Sequence, residues 1–281
     1  MWLEELRGQL PRHAALIDAL LAICAGDERI RVLELQCSVA RGAGDELSDL
    51  DMGLAARDAE WEAVAGALPE RLAAIADTVD LLVHTIPEWG SRPHRRIFVQ
   101  YADGRQLDLV VQPVSNLAGR VPGAVVLHDP DGSLASERIP PASSATAEDL
   151  RTWELSGWEL LSNVAKYLER GSAWEALARL TEARDAALRL WAAAEAVSYP
   201  GFGLTSLLDA DPPRLPHGLE ATVSGVDLDE LRSAALACAS LLRRGASAAR
   251  ARLAPDAAES PMTAYVSDLL RSVPVRGGGG Q

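Results

Sequence analysis

Positive charge is in short supply in this chain. Its 40 Asp and Glu outnumber 27 Lys and Arg, a net charge of −13, and only Lys166 among the basic residues is a lysine. Polymeric nucleic acid binds by having its phosphates neutralised with Lys and Arg, so such a balance argues against it as a partner. A cationic small molecule suits the charge better. Cysteine is scarce: Cys24, Cys37 and Cys238 have neither metal-ligand spacing nor a disulfide framework, which fits a reducing cytosol. No apolar run approaches the roughly 20 residues that a membrane span needs. The N-terminus, MWLEELRGQL, is acidic and amphipathic with no signal-peptide core. The expectation is a cytoplasmic protein without a membrane partner. No internal repeat is visible.

What is present is enough apolar residue to build a substantial core: 48% of 281 positions, room for one large or two modest domains. Residues 12–25 carry Ala15, Leu16, Ala19, Leu20 and Ile23 at helical spacing, ended by Gly26-Asp27. IRVLELQ, residues 30–36, reads as an internal strand, partly apolar on both faces. Residues 58–76 read as a helix interrupted at Pro69, and 80–85 as a strand. IFVQY and RQLDLVV read as strands joined by a hairpin at Ala102-Asp103-Gly104, since Asp-Gly favours the tight turn. Alternation turns Leu107, Leu109 and Val111 to one side and Asp108 to the other. AVVLHD is a last short strand. A Pro-, Ser- and Gly-rich stretch, residues 129–145, then reads as a boundary. Beyond it the pattern is helical: Thr146 with Asp149, Ser172 with Glu175 and Asp227 with Glu230 look like helix starts, running to about 170, 198 and 253. Ser260-Pro261 opens a final short helix. The expected organisation is an α/β (α+β) mixed-sheet domain over residues 1–140, an all-helical domain over 146–272 and a disordered tail over 273–281.

The stretch QCSVARGAGDELSDLDMGL, residues 36–54, concentrates the chemistry. Asp49 and Asp51 stand two apart, so on a strand both carboxylates point the same way. Ser38, eleven residues earlier, opens a short helix whose free N–H groups attract phosphate. Oxygen ligands for Mg²⁺ beside a phosphate-binding helix start are what a nucleoside triphosphate site needs. Read without that context, the carboxylates are a solvated strand end and Ser38 a plain helix cap.

Ser38, the following Ala40-Arg41-Gly42, the Asp49-Leu50-Asp51 pair and a later strand carboxylate, Asp108, occur in the order seen in the nucleotidyltransferase superfamily with the polymerase-beta-like fold. The chain resembles most the bacterial adenylyltransferases of aminoglycoside type, well over its first half and loosely over its second. The resemblance implies AMP transfer from ATP to a hydroxyl of a polar, cationic small molecule, with Mg²⁺, and hence antibiotic resistance. It implies Asp49 and Asp51 as metal carboxylates, Asp108 as a second metal ligand or base, and a helical domain closing over all three. Ser38, Arg41 and Lys166 would bind the nucleotide phosphates. Some relatives complete the site across a homodimer. The same domains also occur in protein-modifying enzymes of toxin–antitoxin pairs, and a module that binds nucleotide without turnover is a third reading.

One position departs from the family pattern: the glycine before the serine is Cys37. A glycine there permits positive φ and close approach of a phosphate. Cys37 either keeps φ negative with its thiol turned away, the ordinary packing reading, or crowds the site. Arg41 has as its other reading a pair with Asp45 or Glu46. Lys166, the lone lysine, is either a phosphate ligand or a surface residue. Trp153 and Trp158 alternate with Glu154 and Glu159 on one helix, a pattern suited to an amine-bearing ligand, although these tryptophans, with Trp174 and Trp191, read first as core. His84, His94 and His128 read as structural. Glu88 is a distant candidate base.

Overall fold

The computed structural model describes residues 2–86, 93–117, 119–136 and 143–274. Contacts divide the chain into two compact units, Met1–Pro140 and Pro141–Gln281. The first is built on a six-stranded sheet in the order β3-β4-β5-β2-β1-β6, with β1 at Ile30–Leu35, β2 at Leu50–Ala56, β3 at Thr78–His84, β4 at Arg95–Tyr101, β5 at Gln106–Pro113 and β6 at Val125–His128. Only β2 and β5 run parallel; the other neighbours are antiparallel. The mixed sheet followed by helices is the fold class expected from the sequence.

The sheet has two unlike faces. Leu33 and Leu35, Leu50, Met52 and Leu54, Ile97 and Val99, and Leu107, Leu109 and Val111 are all buried on one side. Against them pack α1 (Trp2–Gln9), α2 (Pro11–Ala25) and α4 (Trp61–Ala73), through Leu6, Leu16, Ile17, Leu20, Leu68 and Leu72 among others. Each fully buried Leu or Ile contributes about 1.5–3 kcal/mol. Strand alternation turns Glu34, Asp51, Asp108 and Arg96 to the other face. Toward one end of that face Val32, Ala55 and Leu134 form a small apolar cluster of their own.

Helix α4 runs unbroken through Pro69, where a break was expected. Proline removes one i→i−4 bond, but Val64, Ala65, Leu68 and Leu72 anchor the helix in the core on both sides of it.

The second unit is all helix among its described elements: α5 (Ala147–Glu169), α6 (Ala173–Ala194), α7 (Leu204–Leu208), α8 (Leu228–Leu253) and α9 (Met262–Ser272). Thr146 and Asp149 form the expected capping box. Asp227 caps α8 by itself, accepting from the N–H groups of Asp229 and Glu230. Ser172 makes no side-chain cap bond, and α6 stops at Ala194 rather than near 198, with Ala196 turning to φ +58°. Alanines let α5, α6 and α8 approach closely. At Gly157 a Cβ would lie 2.6 Å from Leu242 Cδ1, so any larger residue would force the Leu242 side chain to shift. Inside this core Glu154 accepts from Arg250 at 3.0 and 3.1 Å, both side chains buried. Trp158 is core as expected, whereas Trp174 is 73% exposed, a correction to its core reading. Of the tail expected over 273–281, residues 275–281 lie outside the described residues, as does Glu88.

Candidate active site

The polar face of the sheet gathers around the start of β2. The chain leaves β1 at Gln36, whose N–H donates to the Asp51 carbonyl at 2.8 Å. It then turns through Cys37 into the four-residue helix α3 (Cys37–Ala40). Gln36 takes the cap position without a side-chain bond, and Ser38 is the second residue of the helix, not its cap. A helix of one turn aligns few peptide dipoles, so its pull on an anion is a fraction of that of a long helix. The Ser38 carbonyl accepts from Ala43 at 3.0 Å and closes the turn.

Residues 45–48 are tied down before the carboxylates. Asp45 accepts from the Leu47 N–H at 2.9 Å and from Ser48 Oγ, and buried His13 bonds the Ser48 carbonyl at 2.8 Å through Nε2. Arg12 comes within 3.7 Å of Glu46. This anchoring delivers Asp49 and Asp51 to the polar face. Asp51 stands directly opposite Asp108 in the β2–β5 register, and Phe98 opposite Asp108 in the β4–β5 register. Asp51 is pushed up to about 6, first by burial and then by the charge of Asp49, with Asp108 adding to the rise. A thiol hydrogen bond from Cys37 and the charge of Arg96 oppose it.

Cys37 sits at φ +57°, in the left-handed region, and its thiol turns toward Asp51. The reading of a negative φ with the thiol turned away is thereby corrected. The turn demands the backbone conformation that suits glycine, and the cysteine adopts it at a cost of about 1–2 kcal/mol. Although the residue is exposed overall, burial of the thiol and the neighbouring Asp51 charge push it up to about 12.

Arg96 is the residue that sequence reasoning missed. Its Nε donates to Asp108 Oδ1 at 2.7 Å and Oδ2 at 2.9 Å, and its Nη2 donates to Oδ2. His84 Nε2 lies 3.4 Å from Nη1. A signal was present: the hairpin sets Phe98 opposite Asp108, so Arg96, two residues along on the same face, is its diagonal neighbour. Glu34 was missed as well. It accepts from Gln36 Nε2 at 2.7 Å, and the two lie over Gly53, where a Cβ would come within 3.1 Å of Glu34 Oε1.

Among the other candidates, Arg41 follows α3 and lays its stem near Gly123, where a Cβ would meet its Cγ at 3.6 Å. Lys166, in the helical unit, donates to Asn163 Oδ1 at 2.6 Å, with its Nζ 4.7 Å from the Tyr167 ring centroid. His94 is buried and bonds the Ile86 N–H at 2.7 Å. Glu154 is taken up by Arg250 and Glu159 is exposed. Trp153 instead lines a cavity of about 240 Å³ with Glu182, Asp185 and Arg189, wholly within the helical unit.

Asp49 and Asp51 fit a divalent cation: both are hard oxygen donors, and the crowding that resists ionisation of Asp51 is what a cation would relieve. Asp108 has both oxygens engaged by Arg96. Among the described residues, no group of three or more His, Cys, Asp or Glu is disposed to hold a metal ion.

No family model matches the chain, and no curated protein does. Among solved structures it is similar to an aminoglycoside 6-adenyltransferase from Bacillus subtilis, at 18% identity over 92% of this chain and 97% of that one, with a TM-score of 0.43.

Proposed function

We propose that the chain is a metal-dependent nucleotidyltransferase that moves AMP from ATP to a hydroxyl of a polar, cationic small molecule. The observation that carries this reading is the juxtaposition of Asp49, Asp51 and Asp108 on one polar sheet face, with Asp51 and Asp108 opposite each other on parallel strands. In the transfer the acceptor oxygen bonds to the α-phosphorus, the bond from that phosphorus to the bridging β-phosphate oxygen breaks, pyrophosphate leaves, and the hydroxyl proton passes to water. Asp49 and Asp51 would hold Mg²⁺. When bound, that ion supplies charge stabilisation for the phosphoryl oxygens. The residues of the chain orient the phosphates, with Ser38, Arg41 and Lys166 as candidate phosphate ligands.

A net charge of −13 supports a cationic, aminoglycoside-like acceptor. The test is pyrophosphate release from ATP and Mg²⁺ across a panel of aminoglycosides and other hydroxylated amines. Turnover that disappears in Asp49→Asn and Asp51→Asn, with circular dichroism unchanged, supports the reading. Transfer to a protein instead would move the acceptor class. The engagement of Asp108 by Arg96 favours one second reading, a module that binds nucleotide without turnover; ATP binding with no acceptor modified would establish it.

A further inference from the structure

Three carboxylates meet one guanidinium on the polar face, and the pairing is selective. Arg96 does not sit midway among the three. It reaches diagonally across the β4–β5 ladder and engages both oxygens of Asp108. Bidentate, charge-assisted bonds of this kind are among the stronger polar contacts in proteins. A cation liganded by Asp108 would have to displace them.

The guanidinium is also presented outward. Of its five N–H donors, those on Nε and one edge of Nη2 serve Asp108, and Nη1 is left beside His84 Nε2 at 3.4 Å. The side chain is 35% exposed while Asp108 beneath it is 16% exposed. A carboxylate below and a partly exposed guanidinium above is how a scaffold fixes an arginine for an anion approaching from solvent.

We infer that Arg96 stands where a second metal ion would otherwise act, meeting the phosphates of the nucleotide, and that Asp108 is its positioning residue rather than a metal ligand. The inference rests on the nucleotidyltransferase reading and refines it: one cation on Asp49 and Asp51, one arginine held by Asp108.

The experiment separates metal from phosphate. Mn²⁺ is titrated by electron paramagnetic resonance without nucleotide. A non-hydrolysable ATP analogue with a methylene bridge between the α- and β-phosphates, inorganic tripolyphosphate and adenosine are titrated by calorimetry. Asp51→Asn should weaken Mn²⁺ roughly tenfold or more. Asp108→Asn and Arg96→Gln should hold Mn²⁺ as the unaltered chain does. Both should weaken the ATP analogue and tripolyphosphate roughly tenfold or more, the loss of charge-assisted bonds, while leaving adenosine unchanged. Arg96→Lys should recover part of that affinity. The double variant should bind no more weakly than Arg96→Gln alone, because Asp108 acts through the arginine.

Should Arg96→Gln lose adenosine too, the fold has been damaged, and Arg96→Lys then decides: undiminished tripolyphosphate affinity in it together with unchanged binding in Asp108→Asn overturns the inference. If Asp108→Asn loosens Mn²⁺ as much as Asp51→Asn does, Asp108 is a metal ligand; the inference falls and the nucleotidyltransferase reading stands. If the unaltered chain binds neither Mn²⁺ nor the ATP analogue, that reading falls and takes the inference with it.

Discussion

Replacing Asp51 by Asn should make the metal-free protein more stable at neutral pH while removing its activity. Asp51 ionises against burial and against the charges of Asp49 and Asp108, which lift it from 3.8 to about 6. Such a lift, roughly two pKa units, corresponds to about 3 kcal/mol at 1.36 kcal/mol per unit. The side chain is only partly buried, and the variant also exchanges a charged acceptor of the Cys37 thiol for a weaker neutral one, so the expected gain is about 1–2 kcal/mol. The sign follows from proton binding. In the unfolded chain the group releases its proton near 4, in the folded chain near 6. Between those values the folded state holds more protons, so stability falls as pH rises across the window and levels off above it. The Asn variant has no such fall. Its advantage should be absent below pH 4 and complete above pH 6. Hydrogen exchange of the β2 amides at a series of pH values, in chelator, reads this locally and keeps the sheet unit apart from the helical one. Mg²⁺ should then protect β2 in the unaltered chain and not in Asp51→Asn. A variant less stable at pH 7, or an advantage that does not change with pH, would refute the account of Asp51.

Cys37 should react slowly with iodoacetamide at pH 8 despite its exposure, since its thiol is pushed up to about 12; rapid labelling would contradict the contact with Asp51. Cys37→Gly should change stability by less than about 1 kcal/mol, because relief of the left-handed φ is offset by the greater backbone freedom of glycine when unfolded, and urea unfolding checks this. Glu154→Ala should cost about 3–5 kcal/mol by stranding Arg250 in the helical core, and the double change Glu154→Met with Arg250→Met should recover most of it in the same unfolding assay. Lys166→Ala should raise the KM for ATP with kcat little changed, and Lys166→Arg should restore part; unaltered ATP kinetics would leave the lysine with Asn163 and Tyr167 alone.

Local rules of the sequence determined the elements themselves. Strict alternation in RQLDLVV put Leu107, Leu109 and Val111 in the core and Asp108 on the opposite face, and that is how β5 lies. The Asp103-Gly104 turn set the hairpin, and Thr146 with Asp149 set the start of α5, because both depend on residues a few positions apart. The mixed sheet and the helical unit were legible on the same grounds. Three features were not. Pro69 did not break α4, since burial of residues on either side outweighed one lost hydrogen bond. Cys37 adopted a positive φ because Gln36 is bonded to Asp51 on one side and the α3 turn closes on the other, a demand made by the tertiary structure and not by the cysteine. The neighbour of Asp108 across the sheet was decided by strand order: laying β5 parallel to β2 sets Asp51 opposite a carboxylate far along the chain, and no local periodicity carries that distance. Side-chain alternation depends on the backbone alone, whereas which charge neutralises which depends on the strands that become neighbours.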